Sequence, residues 1–148
     1  MARKFALMAV VGLTVLGLAD GPVQAQGIDP IQTRQTAMDL LAGTFSGVNA
    51  VVAANGDVKK LENAGKAIQR FGALMPSLFP AGSDKGKTAA LPEVWSDNAG
   101  FQKAAMALSS AGEALVTAAK SGDVAAVAAA AKLTGEACGA CHKVYKAK

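Results

Sequence analysis

In four segments between Ile31 and Tyr145, apolar residues return every three or four positions. That period restricts the chain to helices packed along their sides. Asp29 and Pro30 open the first helix, as an N-cap and a first-turn proline whose missing N–H costs nothing. Asn55-Gly56 closes it. Its stripe is Ile31, Met38, Leu41, Phe45, Val48 and Val52, and Arg34 occupies the slot that completes it. Asp57 caps a second helix that runs to about Met75, ahead of Pro76, with the stripe Val58, Leu61, Gly65, Ile68, Gly72 and Met75. A glycine inside a helix costs up to about 1 kcal/mol, so Gly65 and Gly72 imply a close approach, either to something bulky or to another helix. Pro76, Pro80, Gly82, Gly86 and Pro92 mark residues 76–92 as one long loop. A third helix begins at Glu93 or Asp97 and reaches Lys120, carrying Phe101, Leu108 and Leu115. Ser121-Gly122-Asp123 turns into the fourth, whose stripe is Val124, Val127, Ala131, Cys138, Cys141 and Tyr145. The fold class predicted is all-α, an antiparallel four-helix bundle. Its alanine-rich seams bury little area per residue, so a large bound group is expected to complete the core.

The N-terminus reads as an address. Arg3 and Lys4 precede an apolar run over residues 5–19, Asp20-Gly21-Pro22 ends it, and Val23-Gln24-Ala25 offers small residues for cleavage. The run is 15 residues, short of the roughly 20 that span a bilayer. Residues 1–25 are therefore expected to be a secretory signal peptide and residues 26–148 the bundle domain, exported and soluble, with no further segment able to cross a membrane. Composition narrows the function classes. With one Trp, one Tyr and 15 Lys and Arg against 11 Asp and Glu, the charge is +4. Basic and aromatic residues do not interleave, which argues against nucleic acid. Two Cys and one His cannot build a Cys/His structural zinc site by themselves.

The chemistry is concentrated at Cys138-Gly139-Ala140-Cys141-His142, the C-x-x-C-H attachment sequence for c-type haem. On a helix, positions i, i+3 and i+4 lie within about 100° of one another. Two thiols can thus form thioethers with the two vinyl groups while the adjacent imidazole reaches the iron. Gly139 and Ala140 keep bulk away from the porphyrin, and His142 is the only histidine. Three other readings stand beside this one. A thioredoxin-like pair would place its first Cys at a helix N-terminus after a strand. A plain disulfide would leave His142 without a role, and zinc would lack a fourth ligand.

These residues resemble the class II c-type cytochromes, the cytochrome c prime family. The resemblance covers residues 28–148. It rests on the position of C-x-x-C-H near the end of the last helix, supported by Arg34-Gln35-Thr36-Ala37-Met38, Leu78-Phe79-Pro80, Pro92-Glu93-Val94-Trp95 and the run from Cys138 to Lys146. Lys146 departs from the family, where many members carry Arg near the haem edge.

The resemblance implies one covalent haem c on Cys138 and Cys141, with His142 as axial iron ligand, in the periplasm, where haem is joined to such motifs. It gives Arg34 a partner in a haem propionate; the alternative is a side chain that snorkels to water at the bundle's open end. It places Met38 over the distal face. Ligated, Met38 makes the protein a one-electron carrier; packed without ligation, it leaves an open face for NO or CO. Met75 and Met106 are expected in the core. An enzyme is not expected. Lys143, Lys146 and Lys148 would either steer an acidic redox partner or simply complement the helix dipole. A homodimer through the first two helices is the other partner the resemblance allows.

Overall fold

The computed structural model describes residue 27 and residues 29–148. The signal peptide expected over residues 1–25 lies outside them. The helices are α1 (Pro30–Ala53), α2 (Glu62–Leu74), α3 (Glu93–Ser96), α4 (Asn98–Ser121) and α5 (Val124–Tyr145). The four long ones form the antiparallel bundle, and no strand occurs among the described residues.

The punctuation works as the sequence predicts. Asp29 accepts from the Ile31 amide at 2.8 Å to start α1, and Asn55, at φ +48°, ends it. Asp123 accepts from the Ala125 and Ala126 amides to start α5. Two details are finer than the sequence pattern. Asp57 caps a 3₁₀ turn, Val58–Leu61, which then feeds α2. The third helix uses both of its expected starts: α3 begins at Glu93, the chain breaks at Asp97, and Asp97 caps α4 by accepting from the Gly100 amide at 3.1 Å.

α4 is the central helix, packed closely against α2 on one side and α5 on the other, while α1 meets α2 and α5 more loosely. Gly65 and Gly72 are used for helix–helix contact. A Cβ at Gly72 would stand 2.5 Å from the Ser109 amide nitrogen, and one at Gly65 2.9 Å from that of Val116. From the other side, Gly112 of α4 offers the same space to the Gln69 backbone of α2. Ile68, Leu115, Phe101, Leu108 and Val127 fill the core around this seam.

Three expectations change. Met75 is buried, but Met106 is 56% exposed, because α4 turns it away from both neighbours. Val124 is 37% exposed at the open first turn of α5. By length and composition, α1 and α5 do reach what a membrane crossing needs, with mean hydropathy of 1.2 and 1.3. Alanine produces that score in α5: it raises hydropathy while adding little side-chain volume.

The glycine seam is testable by urea unfolding. Gly72→Ala should lower stability by about 1–3 kcal/mol, the cost of overpacking a filled contact. Gly43→Ala, on an exposed face of α1 with nothing within 4 Å of a Cβ, should instead raise it by roughly 0.5–1 kcal/mol through helix propensity.

Candidate cofactor site

Cys138 and Cys141 lie near the end of α5 as half-buried free thiols. Together with His142 and Tyr145 they line a cavity of about 630 Å³, within the size range of small-molecule and cofactor sites. α1 contributes Arg34, Met38 and Phe45 to its wall, α4 contributes Phe101 and Leu108, and the segment after α2 contributes Phe79 and Thr88 to Ala90. The walls are thus mainly apolar, with Arg34, the two thiols, His142, Asp39 and Lys146 as the chemically distinctive groups.

Burial raises both thiols above their ordinary range, Cys141 further through the neighbouring Cys138. Partial burial, helped by the charge of Lys146, lowers the His142 imidazole. Its neutral form, the one with a lone pair to give a metal, is favoured. His142 sits on the exposed rim, and a Cβ at Gly139 would meet nothing within 4 Å.

The residues present therefore fit a covalently attached porphyrin: two thiols and an imidazole at one edge of an apolar cavity, with open space beside them. The rivals fare worse. The cysteines lie at the far end of α5 from its N-terminus. Among the described residues, no group of three His, Cys, Asp or Glu could hold a metal ion.

Arg34 is 3% exposed and so does not snorkel. Its Nη1 donates to Ser83 Oγ at 2.9 Å, and its Nη2 to the Ser83 carbonyl at 2.8 Å and to Thr88 Oγ1 at 2.7 Å. The guanidinium lies over the Phe79 ring, 4.9 Å from its centroid, and 5.8 Å from that of Trp95. Burial lowers its pKa, while Asp29 pulls it back up. Arg34 thereby pins the long loop across the cavity. Ser83 donates onward to the Pro80 carbonyl, and Trp95 Nε1 donates to the carbonyls of Phe79 and Pro80. Nothing in the sequence marks Ser83 or Thr88 as partners, because polar residues in a Pro/Gly-rich loop are ordinary.

At the other end of the wall, Tyr145 donates from its hydroxyl to Asp97 Oδ2 at 2.8 Å. This hydrogen bond, with burial and the Asp97 charge behind it, pushes the phenol up to about 12. Phe101 stacks edge-on against both Tyr145 and Phe79, with centroids 5.3 and 4.9 Å apart. An aromatic row therefore runs from Arg34 to Asp97 along the cavity.

A helical bundle with a C-x-x-C-H end on an apolar cavity defines a class II c-type cytochrome. A family model described as Cytochrome C' matches residues 29–146. Cytochrome c' of Rubrivivax gelatinosus is 38% identical over 123 residues, covering 81% of this chain and 95% of the relative. The crystal structure of cytochrome c' from Thermochromatium tepidum superposes with a TM-score of 0.75 at 30% identity, covering 80% of this chain and 95% of that one. A nitric oxide complex of a leucine-to-alanine variant of cytochrome c prime from Alcaligenes xylosoxidans superposes at 0.73 and 31% identity, covering 81% and 94%. The chain belongs to the cytochrome c' family, whose members bind one covalently attached haem c.

Tyr145 is the only tyrosine, so its titration can be followed without ambiguity. In the ultraviolet difference spectrum against Tyr145→Phe, the phenolate should appear near pH 12, above the usual value of about 10. A folded value above the unfolded one means that the hydrogen bond's contribution is intact below about pH 10 and is lost as pH rises through about 12. Alkaline unfolding of the wild type should therefore be steeper over that window than that of Tyr145→Phe.

Proposed function

We propose that the protein is a periplasmic one-electron carrier in which Cys138 and Cys141 hold the haem through thioethers, His142 is one axial iron ligand and Met38 the other. The observation that carries this reading is that the imidazole of α5 and the thioether of α1 line the same cavity. Cys138 and Cys141 are the residues that would hold the haem, each thiol adding across one vinyl group with its sulfur on one carbon and its hydrogen on the other. Bound there, the haem supplies an iron that exchanges single electrons. The chain's own residues wall the cavity with Phe45, Phe101 and Leu108, and His142 and Met38 would hold the iron between them, which would suit electron exchange over substrate binding. The protein is thus read as a carrier and not as an enzyme.

Arg34 is read as the propionate's cation. It is a buried charge, and no carboxylate pairs with it among the described residues. Both hydrogens of its Nη2 are already given to Ser83 and Thr88. Either two-pronged edge of the guanidinium would use one of them, so Arg34 has single donors left and no intact fork. Lys143, Lys146 and Lys148, exposed around His142, suit an acidic redox partner. α1 buries only Arg34 and Val48 and leaves Leu40 69% exposed, which suits a second copy of the chain.

A second reading is favoured by the nitric oxide complex of the Alcaligenes xylosoxidans relative. If Met38 packs without ligating, the distal face is open to small neutral diatomics. Absorption spectra of the loaded protein beside its Met38→Ala variant separate the two. The carrier reading expects sharp low-spin bands and a far-red ferric methionine band that the variant loses. The same broad high-spin spectrum from both, with CO shifting the ferrous form, would instead establish the gas-binding reading.

A further inference from the structure

The last turn of α5 is held by contacts that the haem reading does not use. Tyr145 lies three residues beyond His142, and its hydroxyl donates to Asp97 Oδ2 at 2.8 Å. The other oxygen of Asp97 caps α4 by accepting from the Gly100 amide. One carboxylate thus joins the first turn of α4 to the last turn of α5. Gly100 is what makes room: a Cβ there would overlap Asp97 Oδ2 and stand 2.5 Å from the Tyr145 oxygen. The backbone adds a second tie. The Leu91 amide donates to the Tyr145 carbonyl at 3.0 Å, and the Ala147 amide donates to the Ala89 carbonyl at 2.8 Å. The Ala90–Lys146 bridge lies between those two bonds.

A helix end normally frays, because its last four carbonyls have no partner in the helix. Here the end is fixed on both sides, one turn beyond the imidazole. We propose that Asp97 and Tyr145, with Gly100 clearing their space, form a positioning clamp that sets how His142 is presented to the cavity and therefore the strength of its bond to iron. Phe101 packs edge-on against the Tyr145 ring, with centroids 5.3 Å apart. This inference rests on the reading of His142 as the axial ligand.

The test uses the haem-loaded protein in a Met38→Ala background, where His142 is the protein ligand under either reading of Met38. Two quantities are measured. One is the iron–imidazole stretching band of the ferrous form by resonance Raman; the other is amide hydrogen exchange over residues 142–147. Tyr145→Phe and Asp97→Ala should shift or broaden the band and speed exchange by tenfold or more. Asp97→Asn should stay near the parent on both, because it keeps an oxygen for Gly100 and a partner for the phenol. If Tyr145→Phe and Asp97→Ala lower the melting temperature without moving the band, the pair merely stabilises the fold and the clamp is overturned. A Tyr145→Phe protein that matches its parent in both measurements overturns it equally. A parent with no covalent haem by mass and no iron–imidazole band would refute the ligand reading itself, and the clamp with it. That failure differs from the other two because it is visible before any clamp variant is made.

Discussion

The architecture depends on how closely α2 and α4 approach. Gly65, Gly72 and Gly112 let the two backbones touch where any side chain would hold them apart. That contact fixes two of the four helices, and α5 is closed against the other side of α4. α1 then has only the remaining edges to pack on, and it meets α2 and α5 loosely. Where α5 faces α1 its side chains are small: Gly135 lies against the Phe45 ring, and Ala137 and Cys138 line the cavity opposite α1. Tight packing on one side of the bundle and small residues on the opposite side leave a gap at the end where the thiols lie. Such a gap costs dispersion contacts along its whole lining, so the chain alone is an incomplete core. A flat, largely apolar prosthetic group would restore those contacts, and its covalent attachment would let it do so permanently.

A charge on the inner face of α1 follows the same logic. A guanidinium moved out of water loses several kcal/mol of hydration. Bonds from a charged donor return about 1.5–3 kcal/mol each, and a desolvated cation–π contact about 2. Three such bonds and the Phe79 ring offset the loss, so the buried cation is tolerated. Its contribution is specificity: an 80-to-90 loop without regular structure acquires one position because three of its polar atoms have one cation to meet. Phe79, Thr88, Ala89 and Ala90 become cavity wall as a consequence.

This division explains what could be read from the sequence. The four long helices, their Asp caps and the spacing of Cys138, Cys141 and His142 are local properties, set by residues within a turn or two of each other, and they were legible. The break at Asp97 was legible only as a choice between two starts, because Pro92-Glu93 and Asp97 each carry a valid cap. Gly65 and Gly72 announced a close approach without naming the neighbour, since a glycine records missing volume and not what fills it. Met106 misled because its apolar side chain was weighed above its position: it lies five residues after Phe101 and two before Leu108, off the stripe that α4 buries. Ser83, Thr88 and the Asp97–Tyr145 bond were illegible, because each joins residues 48 to 54 positions apart through atoms common in any loop or helix end.

The two ends of the aromatic row divide the work of the site. At one end Arg34 and Phe79 fix the loop; at the other Tyr145 and Asp97 fix the turn that follows His142. Phe101 touches both Phe79 and Tyr145, so displacement of either end is felt at the other through close-packed rings. Met38 stands on the looser helix, between these anchors in sequence only on the Arg34 side. Its sulfur is carried by a flexible side chain on α1, whereas the imidazole is carried by a helix end that is tied down twice. In the proposed carrier the ligand pair would be asymmetric: the His142 side set by the fold, and the Met38 side by how firmly α1 is held. Arg34, one turn before Met38 on the same face, is the residue that couples α1 to the pinned loop. The same cation that suits a propionate thus also limits how far the thioether can move.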